Sequence, residues 1–254
     1  MPIEYGQLIS TDDQFNTSYQ GLLLLQRLLS SLDIPTTLFV TGNFASHFPG
    51  VISDLSNDHE IASHTFYHSC FKKTDLVDSK ICLERITGKK ISGLRMPRMK
   101  VLPATDLLEA GYHYDASVNP FWLPGRYNNW NKPRTLFREG PLFRIPASVS
   151  TFARIPLFWL SFKNLPYALY LKLALSALKR NGYISLYFHP WEFIELKKYK
   201  MPFYTKAPCG ILLLKKLERL LIDLKQVAEF RTMNTVLSGI QTSSGTISEI
   251  SQTG

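Results

Sequence analysis

Short runs rich in β-branched and aromatic residues alternate with helical patterns along most of this 254-residue chain. The strand candidates are TTLFV (36–40), HEIAS (59–63), ISGLR (91–95), YHYDASV (112–118), LFRIPA (142–147), YISLYF (183–188) and EFRTM (229–233). Helical patterns lie near 10–32, 74–87, 104–110, 164–181 and 209–227. Such alternation predicts an α/β fold with a mainly parallel sheet and crossover helices. The length suits one α/β core, and no break in composition divides it. Residues 1–240 therefore read as a single domain, and 241–254, rich in Ser, Thr and Gly, as a loose tail.

Composition narrows the class further. Hydrophobic residues make up 45% and charged residues 19%, the balance of a packed chain rather than a disordered one. The net charge of +9 favours acidic partners, but the basic residues are spread along the chain, with only short clusters such as Lys197, Lys198 and Lys200. That pattern argues against nucleic acid and better suits an anionic surface or glycan. Cys70, Cys82 and Cys209 are odd in number and lack CxxC spacing, so neither a disulfide framework nor a thiolate zinc site is indicated. No uncharged apolar stretch reaches about 18 residues, and no basic segment precedes an apolar run at the N-terminus. The expectation is a soluble cytoplasmic protein.

Parallel strands in a barrel bring their C-terminal ends to one face. His64 follows one candidate strand, Arg95 closes the next, Asp115 lies in the one after, and His189 follows YISLYF. His64 and His68 stand four apart in SHTFYH and can aim both imidazoles at one divalent ion, zinc among others, if carboxylates complete the site. Two solvated loop histidines are the plain alternative. His189 can act as a general acid near neutral pH or simply bond a backbone carbonyl at a strand end. Arg95 can hold a carboxylate bidentately or lie at the surface. Asp115 can pair with a histidine and raise its pKa, or satisfy a turn.

HEIASHTFYH, GLRMPRM, GYHYDASVNP and LYFHPWEF, in that order, resemble the motifs of the polysaccharide deacetylase family, also called the NodB homology domain or carbohydrate esterase family 4. The supporting segments TTLFVTGNFASHFPGVI and ITGKKISG resemble it too, so the likeness runs from about Leu22 to Met233. It implies a distorted (β/α) barrel and a metal-dependent hydrolase that removes acetyl groups from N-acetylated sugars. By the same resemblance His64 and His68 match the metal-binding histidines, with zinc the expected ion, and His189 matches the catalytic acid. Arg95 matches the arginine that positions an aspartate base, and Asp115 lies in the motif that tunes the acid histidine. The usual Arg-x-Pro-Tyr-Gly is here Arg95, Met96, Pro97, Arg98, Met99, which changes the local substrate contacts and leaves the Arg98 N–H as an oxyanion donor.

The family takes its base and third metal ligand from an acidic pair, and STDDQ offers Asp12 and Asp13. Yet Phe15, Tyr19, Leu22, Leu25, Leu29 and Leu32 mark an amphipathic helix, with Ser10 at its N-cap position and both acids in its first turn. The preceding MPIEYGQLI, with Pro2, Glu4, Gly6 and Gln7, is a poor buried strand. Two expectations follow: a fold that lacks its first strand in this chain, with the aspartates a helix cap, or aspartates that serve as base and ligand. The run at 152–180, rich in aromatics and leucines, reads as core plus one crossover helix, with docking at a membrane surface as the alternative.

Overall fold

In the computed structural model, residues 6–125 and 127–242 are described. Along the chain run α1 (Thr11–Ser31), β1 (Thr37–Val40), α2 (Gly42–His47), α3 (Pro49–Asp58), β2 (Glu60–Ser63), α4 (Asp75–Thr87), β3 (Gly93–Leu94), α5 (Ala104–Glu109) and β4 (Tyr114–Asp115). There follow β5 (Trp122–Leu123), β6 (Tyr127–Asn128), β7 (Phe137–Glu139), β8 (Leu142–Arg144), α6 (Trp159–Asn164), α7 (Tyr167–Asn181), α8 (Phe203–Lys206), α9 (Gly210–Lys225) and α10 (Met233–Thr242). Within the span read as one domain, internal contacts gather two compact units: Met1–Ile34 with Ser148–Glu229, and Pro35–Ala147 with Phe230–Gly254. The expectations for Pro2 and Glu4, and for the tail beyond Thr242, lie outside the described residues.

The second unit holds a sheet in the order β1-β2-β3-β4-β8-β7, parallel from β1 to β8, with β7 antiparallel to β8. This is the parallel α/β sheet expected. Beyond the paired residues the hydrogen bonds continue in step: His64 N–H donates to Val40, Arg95 N–H to Ser63, Ala116 N–H to Leu94 and Ile145 N–H to Asp115. Residues that follow successive strands therefore leave the sheet at the same end. Tyr114, Ala116, Phe143, Ile145 and Leu237 form a buried cluster, with Phe39, Leu136 and Met233 packed on it.

Gly93 is required by this packing. A Cβ there would lie 1.8 Å from the Tyr114 ring, whose hydroxyl donates to Glu60 at 2.7 Å. The other oxygen of Glu60 accepts from Thr37 at 2.7 Å and from the Asn234 N–H at 3.0 Å, while Met233 N–H donates to the Thr37 hydroxyl at 2.9 Å. The first turn of α10 is thus capped by side chains of β1 and β2. That docking replaces the strand expected at 229–233, which forms no ladder among the described residues. Helices α2 and α3, between β1 and β2, were not expected, although the signals were present: Thr41 caps Phe44 N–H at 3.3 Å, and Pro49 opens α3.

In the first unit α9 buries Leu213, Leu217, Leu220, Leu221 and Leu224 along one stripe. Lys216 on the same helix donates to the carbonyls of Phe162 and Leu165 at 2.6 and 2.9 Å, closing the C-terminal end of α6. The apolar run at 152–180 breaks at Pro166 into α6 and α7, which bury Phe162, Tyr170, Ala174 and Ala177 as core. YISLYF makes no ladder among the described residues. Its Ser185 and Tyr187 carbonyls accept from Ser148 and Trp159, two points separated by a tight excursion through Pro156, which has no N–H to give. Among the described residues no helix is long and apolar enough to cross a membrane, and Cys70, Cys82 and Cys209 are all unbridged.

Candidate active site

The loop after β2 is docked on the first turn of α2. Gly42 N–H donates to the Thr65 carbonyl at 2.9 Å and Asn43 N–H to that of Phe66 at 3.0 Å. A Cβ on Gly42 would lie 2.6 Å from the Phe66 ring, so glycine permits the approach. Thr65 takes a left-handed φ of 62°, and this turn directs His64 back towards β3.

There His64 Nδ1 lies 2.6 Å from the carbonyl oxygen of Arg95. A carbonyl only accepts, so Nδ1 carries the proton and the lone pair of the neutral ring sits on Nε2. The His68 ring is 5.3 Å away, tilted by 52°. A ring held through Nδ1 by a backbone carbonyl, with a second histidine beside it, fits two nitrogen donors of a divalent-metal site. Among the described residues, however, no group of three or more His, Cys, Asp or Glu side chains is placed to hold an ion together.

Arg95 and Asp115 are buried beside this loop's anchor. Arg95 Nε donates to the Ala116 carbonyl at 2.9 Å, and its guanidinium lies 4.4 Å from the centroid of the Phe39 ring. Asp115 is fully buried; its Oδ2 accepts from Arg144 Nη1 at 2.7 Å, and its Oδ1 from the N–H of Ser117 at 3.2 Å and from the Ser117 hydroxyl. Burial pushes the Asp115 carboxyl up, against the pull of Arg144 and Ser117. Arg144 also donates to Glu139 and to the Leu102 carbonyl, each at 2.8 Å. In the divergent segment after Arg95, Arg98 and Met99 both adopt left-handed backbone, φ 57° and 56°, a conformation that costs about 1–3 kcal/mol per residue.

His189 belongs to the first unit, at the entry of a 3₁₀ turn, Pro190–Phe193. Glu192, fully buried, accepts through Oε1 from the His189 N–H at 2.9 Å and lies 3.0 Å from its Nδ1. Lys163, also buried, places Nζ 3.8 Å from Glu192 Oε2. Trp191 is stacked on the imidazole at 5.5 Å, and Trp159 and Tyr187 meet it edge-on at 5.4 and 6.1 Å. The resemblance places Asp115 in the motif that tunes the acid histidine; Asp115 is bonded to Arg144 and Ser117, and Glu192 lies 3.0 Å from His189 Nδ1.

Glu192 and Lys163 escaped the sequence reading. The signals were a glutamate three residues after the histidine in HPWEF and a lysine set among the aromatics of FWLSFK.

Ser10 caps α1 as expected, its hydroxyl accepting from Asp13 N–H at 3.1 Å. The Asp13 carboxylate does not reach back to complete a capping box. It accepts from Lys198 at 2.7 Å and Tyr199 at 2.8 Å, and these two hydrogen bonds hold it below the usual carboxylate range. Tyr199 also bonds Thr17 at 2.7 Å.

A family model described as polysaccharide deacetylase matches residues 9–114, a span that includes Asp12, Asp13, His64, His68 and Arg95. Curated protein sequences give no match. Among solved structures, a protein described as a polysaccharide deacetylase from Mycobacterium smegmatis superposes with a TM-score of 0.64 at 17% identity, over 94% of this chain and 82% of that one. PuuE allantoinase gives 0.58 at 18% identity, over 90% and 74%. BA3943 from Bacillus anthracis, described as a family 4 carbohydrate esterase pseudoenzyme, gives 0.51 at 10% identity, over 87% and 61%. Residues 9–114 are thus similar to the polysaccharide deacetylase family, and the chain shares its parallel α/β fold with these solved structures.

Proposed function

We propose that this protein is a hydrolase that removes acetyl groups from N-acetylated sugars of a polysaccharide or glycan precursor. One observation carries the reading: within the family-matched span, His64 is fixed through Nδ1 on the Arg95 carbonyl with His68 beside it. His64 and His68 would hold a divalent ion, zinc in the first instance, which when bound polarises an acyl carbonyl. His189 supplies the proton that the amine nitrogen takes up as the amide C–N bond breaks and water oxygen joins the acyl carbon, giving acetate and a free amine. Asp12 and Asp13 are the carboxylates the resemblance offers for the water's proton.

Amine release from N-acetylglucosamine oligomers, followed with and without a chelator, tests the proposal. The expected result is release that stops on chelation, returns with zinc and is lost in His189→Ala. Asp12→Ala and Asp13→Ala, assayed in parallel, separate a base from a helix cap. A hydrolase of another small amide would release amine from a different substrate, as the likeness to an allantoinase allows.

A second reading rests on the lack of a three-donor cluster among the described residues and on the likeness in fold to a pseudoenzyme. It is a carbohydrate-binding protein without catalysis, and saturable oligosaccharide binding with no amine release at any metal concentration would establish it.

A further inference from the structure

The buried pair behind His189 does more than fill the core of the first unit. Glu192 Oε1 meets both the backbone N–H and the ring Nδ1 of His189, at 2.9 and 3.0 Å. An ionised carboxylate only accepts, so Nδ1 must donate. A buried carboxylate with no counter-charge takes up a proton instead of staying ionised. Lys163 provides that charge from α6, 3.8 Å from Oε2, while its ammonium donates to the Thr205 carbonyl at 2.9 Å. The indoles of Trp159 and Trp191 lie 5.6 and 5.7 Å from the same ammonium, a cation–π arrangement that offsets part of its desolvation. Burial pulls the Lys163 ammonium towards its neutral form, and Glu192 opposes that.

The imidazole is clamped between these groups and remains 36% exposed. Trp191 fixes the plane of the ring, Trp159 and Tyr187 block rotation from the sides, and Glu192 holds one nitrogen. We propose that Glu192, with Lys163 as its counter-charge, is the positioning residue that fixes His189 with a proton on Nδ1 and makes Nε2 the nitrogen that delivers a proton to substrate. The inference rests on the reading of His189 as the proton donor. The proton balance is simple: the cationic ring gives its Nε2 proton to the leaving amine and is left neutral, with Nδ1–H still bonded to Glu192.

The test is nitrogen NMR on protein labelled with ¹⁵N-histidine, with His189 assigned by its disappearance in His189→Gln. The neutral ring is expected as the Nδ1–H tautomer in the wild-type protein and as a mixture of tautomers in Glu192→Gln. In the same variant kcat for amine release should fall at least ~10-fold, a part of the ~100-fold or more that a positioned acid contributes, with KM nearly unchanged. If Glu192→Gln does not fold, the double variant Lys163→Met with Glu192→Gln removes both charges together, and the wild-type spectrum needs no variant. An Nε2–H tautomer in the wild type, or an unaltered tautomer after the charge is removed, overturns the proposal. Because the spectrum requires no turnover, an inactive protein that shows Nδ1–H would sink the deacetylase reading and the Nε2 delivery with it, while an active protein that shows Nε2–H would overturn the positioning by Glu192 alone.

Discussion

A Cβ placed on Gly21 would lie 1.9 Å from the carbonyl oxygen of Pro190, so α1 and the turn after His189 meet backbone to backbone. At an exposed helical site Gly→Ala stabilises by roughly 1 kcal/mol. Here the sign should reverse. Gly21→Ala is expected to cost about 1–3 kcal/mol, the range for overpacking a filled site, and to move the His189 ring signals. Thermal unfolding reads the first effect, and a rise in Tm would contradict the close approach.

His64 and His68 should act as a pair. Wild-type protein is expected to bind one zinc ion per chain, and His64→Ala or His68→Ala to weaken it more than ~10-fold, at least the loss seen when a metal histidine's support is removed. Isothermal titration calorimetry provides the measurement. Equal affinity in wild type and both variants would place any zinc elsewhere.

Arg144 and Asp115 form a buried ion pair at 2.7 Å, with relative side-chain exposures of 1% and 0%. Removing one partner leaves a buried charge. Arg144→Met should therefore cost about 3–5 kcal/mol in urea denaturation, and Arg144→Met with Asp115→Asn should recover part of the loss. If the single variant loses less than the double, the pair is not what holds β4 to β8.

His59 is buried between α3 and β2, and neither ring nitrogen has a hydrogen-bond partner among the described residues. Burial lowers its pKa, with Asp58 opposing. Its folded pKa thus lies below the unfolded value of about 6.5. Stability is full above that value and falls as pH drops through it towards the folded pKa, because the unfolded chain binds the proton first. His59→Leu should flatten that dependence between pH 7.5 and 5.5, where the slope from one group cannot exceed about 1.4 kcal/mol per pH unit. Denaturation at the two pH values decides it; identical slopes in both proteins would exclude His59 as the source.

Much of the second unit was legible because parallel pairing obeys local rules. β1 to β4 fall within the runs picked out by their β-branched and aromatic residues, and α1, α4 and α9 follow their apolar periodicity to within a few residues. The spacing of His64 and His68 in sequence foretold that their rings would lie side by side. What escaped depended on partners distant in sequence. Nothing near Glu229 announces that Thr37 and Glu60 will seat a helix there in place of a strand. Asp115 and Glu192 are both carboxylates close to candidate site residues in sequence. Only the placement of Arg144 and Lys163 shows which one is a core ion pair and which one holds His189.

The capping of α10 by Thr37 and Glu60 also sets an order of events in synthesis. Met233 and Thr37 are 196 residues apart, and the first unit likewise joins its opening helix to a segment that ends near Glu229. The two units are threaded through one another along the chain, so neither can close on the ribosome until its late segment has emerged. Contacts of such long sequence separation close late in folding, so the apolar faces of α1 and of β1 to β4 wait for partners made much later in the chain.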